Sequence, residues 1–258
     1  MTDPIILCQN VTKQFPKVPV PAVRDVNLAV QPGEFVCFVG ASGCGKSTTL
    51  RMICGLDTPT SGTVLYKGQP VVGITPGLSM VFQSAALLPW LSVRDNVAFG
   101  LTMNGRTADQ TQKLTDRFIE MVGLQGAVDR TPRELSGGMR QRVGIARALA
   151  MEPDVLLLDE PFSALDPETT EELHEELLNI WQTVHTTMVM VSHLVEEALF
   201  LADRVIVFGL GRIQTEIPVP LARPRDVDSA EFIALRRQLQ GFFHEHGHPA
   251  PAVPTAPH

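Results

Sequence analysis

Between Gly40 and Thr48 the chain reads Gly40-Ala41-Ser42-Gly43-Cys44-Gly45-Lys46-Ser47-Thr48, a spacing of glycines, one lysine and paired hydroxyls that suits a phosphate chain. Gly40, Gly43 and Gly45 permit backbone conformations that a Cβ would block, so successive N–H groups can turn inward as an anion nest. Lys46 brings a point charge to the terminal phosphates, the Ser47 hydroxyl is placed to ligate Mg²⁺, and Thr48 lies where a helix N-terminus adds donors. More than a hundred residues later, Val155-Leu156-Leu157-Leu158-Asp159-Glu160 reads as a buried strand that ends in two carboxylates. Asp159 would then stand beside the cation held by Ser47, leaving Glu160 free to polarise a water as a base. A glycine turn before a helix, or a capping acid, is the bland alternative for either run alone; the two together leave it little room. A nucleotide phosphate chain with Mg²⁺ is implied, and kinases, GTPases and motors all share this apparatus.

Elements that would position these groups are legible in the apolar pattern. Glu34 to Val39 is a continuous apolar strand running into the glycine loop, and Leu50, Ile53 and Cys54 carry a helix to Gly55. Ile5 to Pro32 alternates apolar and polar positions, broken by Pro16, Pro19 and Pro21, which predicts short antiparallel strands around an irregular loop. Ala108 to Leu124 sets Leu114, Phe118, Met121 and Val122 on one helical face, and Ser136 to Ala150 and Pro167 to Val184 read as further helices. Buried-type strands recur at 155–158, 188–191 and 205–208. Strands alternating with helices predict an α/β fold with a mostly parallel sheet covered on both faces.

Composition excludes several classes. The chain has 258 residues, 44% of them hydrophobic, enough for one large α/β domain with a short appendage. Its net charge of −7 argues against nucleic acid as a partner, because a phosphate backbone is held by clustered Lys and Arg. Cys8, Cys37, Cys44 and Cys54 form no CxxC pair and read as buried free thiols in a reducing compartment. The opening MTDPIILCQN has no secretory character, and no apolar run reaches membrane-spanning length. After Pro218 the composition shifts. Residues 1–217 are expected to form the catalytic domain and 218–243 an amphipathic helical appendage with Phe232, Leu235, Leu239 and Phe242 on one side. The Pro-, Ala- and His-rich stretch 244–258 is expected to be a disordered tail. No internal repeat is visible, so one such domain is expected.

Leu135-Ser136-Gly137-Gly138-Met139-Arg140-Gln141-Arg142 resembles the signature run of ABC ATPases, which other P-loop enzymes do not carry. Its physics is legible too: Ser136 caps a helix, two glycines clear the backbone, and the helix start offers donors to an anion. The resemblance implies a P-loop NTPase core, an N-terminal antiparallel β-subdomain and an α-helical signature subdomain. It also implies a head-to-tail dimer in which Ser136, Gly137, Gly138 and Gln141 of one subunit reach the ATP held by the other. Further motifs follow in family order. Phe15 is similar to the aromatic that stacks on adenine, and Gln83 to the glutamine that contacts Mg²⁺ or the attacking water. Ser163 and Asp166 resemble the loop that crosses the dimer interface, and His193 the switch histidine facing the γ-phosphate. The implied catalytic set is thus Lys46, Gln83, Glu160 and His193, with Ser47, Gln83 and Asp159 on the metal. Cys44 sits within the phosphate loop, where positive potential can lower a thiol pKa, though a filler role is the simpler expectation.

The run Leu87-Leu88-Pro89-Trp90-Leu91-Ser92-Val93-Arg94-Asp95-Asn96-Val97 resembles the importer branch that serves nitrate, sulfonate, taurine and related compounds, and Arg223-Pro224-Arg225 points the same way. The resemblance implies a peripheral position on the cytoplasmic face of the cell membrane. The partners implied are a second ATPase subunit, integral membrane permease subunits that dock near Gln83 to Trp90, and indirectly a solute-binding protein. An exporter or lipid-extraction subunit shares the core motifs. A soluble ABC protein of translation or repair would carry two ATPase domains or a coiled-coil insertion, and a small-molecule P-loop kinase would have no use for Leu135 to Arg142.

Overall fold

In the computed structural model, which describes residues 3–246, the apolar runs become strands that alternate with helices. In chain order the elements are β1 (Ile6–Lys13), β2 (Val23–Val30), β3 (Phe35–Val39), α1 (Lys46–Ile53), β4 (Ser61–Tyr66), β5 (Gln69–Pro70) and β6 (Leu78–Val81). Then follow α2 (Val93–Met103), α3 (Ala108–Met121), α4 (Gly137–Ala150), β7 (Val155–Asp159), α5 (Pro167–Val184), β8 (Thr187–Val191), α6 (Val195–Leu201), β9 (Arg204–Gly209), β10 (Arg212–Pro218) and α7 (Ala230–His246).

Two sheets share the work. An antiparallel sheet of order β2-β1-β4-β5 gathers the N-terminal strands, with Ile6 opposite both Val30 and Tyr66. The second sheet has the order β10-β9-β3-β8-β7-β6, parallel throughout except for the antiparallel edge strand β10. Side chains of β3 alternate between two cores. Phe35, Cys37 and Val39 join the helices on one face, while Val36 and Phe38 join α1 and the antiparallel sheet on the other. A strand covered on both sides has no polar face to show, which is why β3, β7 and β8 read as unbroken apolar runs.

Because β6, β7, β8 and β3 run parallel, their carboxyl ends lie along one edge of the sheet, and β3 occupies the place between β8 and β9 where the chain order reverses. Ligands of open α/β sheets bind outside such a switch point. Among the described residues five helices open on capping side chains: Ser92, Thr107, Ser136, Asp166 and Ser229 accept from the Asp95, Gln110, Met139, Thr169 and Phe232 N–H groups respectively. Helices α2, α3 and α4 pack on one another as a layer beside the parallel sheet. On α7, Phe232 and Leu239 are fully buried, and Leu235 and Phe242 pack against the same core. The stretch expected to be a tail lies, beyond His246, outside the described residues. All four cysteines are free and buried.

Candidate active site

The glycine loop follows β3 and ends on Gly45, whose φ of 102° sets the start of α1. A Cβ on Gly45 would lie 2.5 Å from the Ala22 carbonyl oxygen, and one on Gly40 would lie 2.4 Å from that of Phe208. The loop is therefore wedged between the β1–β2 connection and the end of β9, with only its tip of Ala41, Ser42 and Gly43 exposed. Lys46, 4% exposed, donates to the Gly40 and Ala41 carbonyls at 2.6 and 3.1 Å, so its ammonium sits inside the curl of the loop. Ser47 and Thr48 are half-buried on the first turn of α1.

Parallel pairing brings the second half of the site to the first. Asp159 ends β7 opposite Val191 of β8, and its Oδ1 accepts from the Ser47 hydroxyl at 2.7 Å. Glu160 follows with a left-handed φ of 45°, a conformation costing about 1 kcal/mol or more for a residue with a Cβ. Its N–H donates to the Val191 carbonyl at 3.1 Å, which fixes the turn and aims the carboxylate out of the sheet. His193, two residues past β8, places Nδ1 3.5 Å from Glu160 Oε2. Gln83, two residues past β6, donates from Nε2 to the Ser163 hydroxyl at 2.9 Å, and that hydroxyl donates to the Glu160 carbonyl at 3.0 Å. Gln83, Asp159, Glu160, Ser163 and His193 are thus gathered at the sheet edge beside the glycine loop.

Other expected site residues stand elsewhere. Phe15 is half-buried with the Lys13 ammonium 5.2 Å from its ring centroid, on the segment that leads through Ala22 to Gly45. Asp166 caps α5, accepting the Thr169 N–H at 3.0 Å, and that bond holds its carboxyl below the ordinary value. Ser136 is exposed and caps α4, while Gly137 and Gly138 lie against Leu165 and Thr169 at the start of α5.

One expectation is corrected. Gln141 is only 3% exposed, on the face of α4 turned into the molecule, so it cannot share the outward contact expected of Ser136 and Gly137. At Cys44 burial pushes the thiol pKa up and outweighs the lowering by Lys46.

Three residues hold the site in ways that the sequence did not reveal. Arg147 on α4 donates to the Ala86 and Ala85 carbonyls at 2.8 and 2.7 Å, pinning two left-handed residues just past Gln83. The fully buried Asn96 accepts from the Leu88 N–H and donates to the carbonyls of Leu88, Leu91 and Ser92, so it fixes the loop that displays Trp90 at 73% exposure. Arg225 donates to the carbonyls of Phe200 and Ala202 at the end of α6, and burial lowers its pKa to about 10. Each is a polar side chain satisfied by backbone, local for Asn96 and distant for Arg147 and Arg225, a pattern without periodicity.

A phosphate loop, a strand-end carboxylate pair and a capped double-glycine helix start now stand together in one chain. A family described as ABC transporter matches residues 23–163. The chain belongs to that family. It is an ABC ATPase, an ATP-hydrolysing domain. The nitrate import ATP-binding protein NrtD of Synechococcus elongatus is 46% identical over 247 residues, covering 92% of this chain and 90% of that protein. The bicarbonate transport ATP-binding protein CmpD of Synechocystis sp. is 44% identical over 237 residues, covering 88% and 83%. Among solved structures, a dimeric ATP-binding cassette in a post-hydrolysis state bound to ADP and Pi superposes with a TM-score of 0.75 at 31% identity, covering 84% of this chain and 100% of that one. The cbiO1 protein of Clostridium perfringens, part of the ABC transporter complex cbiONQ, gives 0.78 at 25%, covering 96% and 100%. No helix of the described residues is long and apolar enough to cross a membrane.

Proposed function

We propose that this ABC ATPase drives an importer of small oxyanion solutes of the nitrate, sulfonate and taurine kind. In this reading it works as one of a pair of ATPase subunits, at the cytoplasmic face of the cell membrane, beneath permease subunits supplied by a solute-binding protein. Residues 1–217 carry the ATPase, and 218–243 are an appendage to it. Relatives named for nitrate import and bicarbonate transport support the solute class.

The observation that carries the catalytic reading is the Ser47–Asp159 junction with Glu160 beside it. A hydroxyl and a carboxylate, both hard oxygen donors in contact, fit Mg²⁺, which keeps most of its remaining positions for phosphate and water oxygens. Ser47 and Asp159 would hold Mg²⁺, with Gln83 as a further oxygen donor; when bound, the ion supplies neutralising charge to the phosphates.

The chain's own residues do the rest. Gly40 to Gly45 turn their N–H groups to the phosphates, and Phe15 stacks on the adenine. Lys46 exchanges the loop carbonyls for β- and γ-phosphate oxygens. Glu160 accepts a proton from the attacking water, and His193, in contact with it, donates to the γ-phosphate. The α4 start, with the exposed Ser136 beside the half-buried Gly137 and the buried Gly138, supplies amide donors to the ATP of the other subunit, while Ser163 and Asp166 line the boundary between the two. The exposed Pro89–Trp90 corner receives the permease.

The test is steady-state ATP hydrolysis against protein concentration for wild type and Glu160→Gln. A rate that rises more than linearly in wild type, and a variant that binds ATP but turns over about a hundredfold or more slowly, is expected. A linear rate unchanged in Glu160→Gln would remove both the base and the pair.

A further inference from the structure

His174 and Glu197 form a buried pair that the catalytic reading leaves unused. Nε2 of His174 lies 2.8 Å from Oε1 of Glu197, and the two side chains are 12% and 5% exposed. His174 stands on α5, one of the helices that follow the Glu160 turn, and Glu197 stands in the first turn of α6, just past His193. The imidazole also meets Phe162 edge-on, with centroids 4.9 Å apart and planes at 75°, and Phe200 of α6 at 6.0 Å. Phe162 is two residues from Glu160. The pair therefore joins the segment that carries Glu160 to the segment that carries His193.

On the sheet side the two segments are tied by backbone, since Glu160 N–H donates to the Val191 carbonyl. On the helical side α6 is fastened at its end by Arg225, and at its start an exposed ion pair joins Glu196 to Arg236 at 2.9 Å. Exposed pairs of that kind contribute little. Glu197 and His174 are different, because they are 5% and 12% exposed and so lose more when the bond breaks than a pair on the surface does. Sliding α6 along α5 would break it, and His193, which lies just before α6, faces Glu160 at 3.5 Å.

We propose that His174 and Glu197 are positioning residues for ATP hydrolysis: their bond holds the Glu160 turn and the His193 segment in register. The proposal rests on the reading of Glu160 as the base. Its test is steady-state ATP hydrolysis by the full chain with His174→Phe, which keeps a ring against Phe162 but loses the donor, and His174→Gln, which keeps a donor nitrogen at similar reach. Expected for His174→Phe is a kcat about tenfold lower at unchanged KM for ATP, as small misplacements of reacting groups give. His174→Gln should recover most of that loss. If His174→Phe does not fold, His174→Met replaces it with the same expectation. A kcat within twofold of wild type in the donor-less variant, a KM that rises as kcat falls, or His174→Gln as slow as the donor-less variant each overturns the proposal. Glu160→Gln run alongside separates the two readings. If it keeps wild-type turnover, the assignment of the base fails; if it collapses while the donor-less variant does not, only the positioning role fails.

Discussion

The Ser47 hydroxyl donates to Asp159 Oδ1 at 2.7 Å, joining the first turn of α1 to the last residue of β7 across 112 positions of sequence. Asp159→Asn preserves an acceptor for Ser47 and removes the charge. The fold should hardly notice, with Tm within about 2 °C of wild type, since no buried volume changes. The Mg²⁺ concentration for half-maximal ATP hydrolysis should rise on the order of tenfold or more, because ligand charge sets the affinity of an oxygen site. A Mg²⁺ titration of ATPase rate reads this directly, and an unchanged midpoint would take Asp159 out of the metal site.

Gly45 and Gly43 both have positive φ, yet they predict different outcomes. A Cβ on Gly45 meets the Ala22 carbonyl oxygen at 2.5 Å, while one on Gly43 meets nothing within 4 Å. Gly43→Ala should then cost about 1–2 kcal/mol of left-handed strain and leave ATP binding measurable. Gly45→Ala must also push backbone against backbone, so it should lose ATP binding and unfold at clearly lower denaturant. Chemical denaturation and nucleotide titration of the two variants decide it; equal effects would mean that φ alone matters.

Periodic features were legible and aperiodic ones were not. The strand, glycine loop and helix around Gly40 to Thr48 could be read because apolar runs and glycine spacing are local signals. The helix cap at Ser136 followed from residue type. Strands β4 and β5 went unread because their burial is partial: Ser61, Gly62, Gln69 and Pro70 are all exposed. Gln141 was placed at the outward signature face because its neighbours belong there, whereas helical geometry turns it inward. Arg147 acts on carbonyls that only the folded chain brings near, and the local clamp of Asn96 leaves no periodic signal.

Asn96 makes one hydrogen bond as acceptor and three as donor to the loop that runs from Leu88 to Ser92. With a net of roughly 0.5–1.5 kcal/mol per bond, and a penalty for each buried group left unpaired, Asn96→Leu should cost about 2–4 kcal/mol. The loop carrying Trp90 should loosen at the same time. Denaturant unfolding gives the first quantity and hydrogen exchange at residues 88–92 the second. Full stability with faster exchange would confine Asn96 to the loop, and no change in either would leave the clamp without energetic weight.

All four thiols are buried, and burial raises the pKa of each, that of Cys8 to about 12. Since the thiolate is the reactive species, a thiol reagent at pH 8 should label the native protein slowly at every position and all four quickly in denaturant. Rapid labelling of Cys44 in the native protein would mean that the glycine loop opens far more readily than its packing against Ala22 and Phe208 allows.

Asp166 offers a signed test in pH. The Thr169 N–H donates to its carboxylate, which holds the folded pKa below the ordinary 3.8. A carboxyl depressed on folding adds stability above its unfolded value, and that contribution fades as pH falls through the folded value. Asp166→Asn keeps a capping oxygen at the start of α5 but does not titrate. The stability difference between wild type and variant should therefore be larger at pH 7 than at pH 3, as measured by denaturant unfolding at each. A difference independent of pH would mean that the cap works through its hydrogen bond alone.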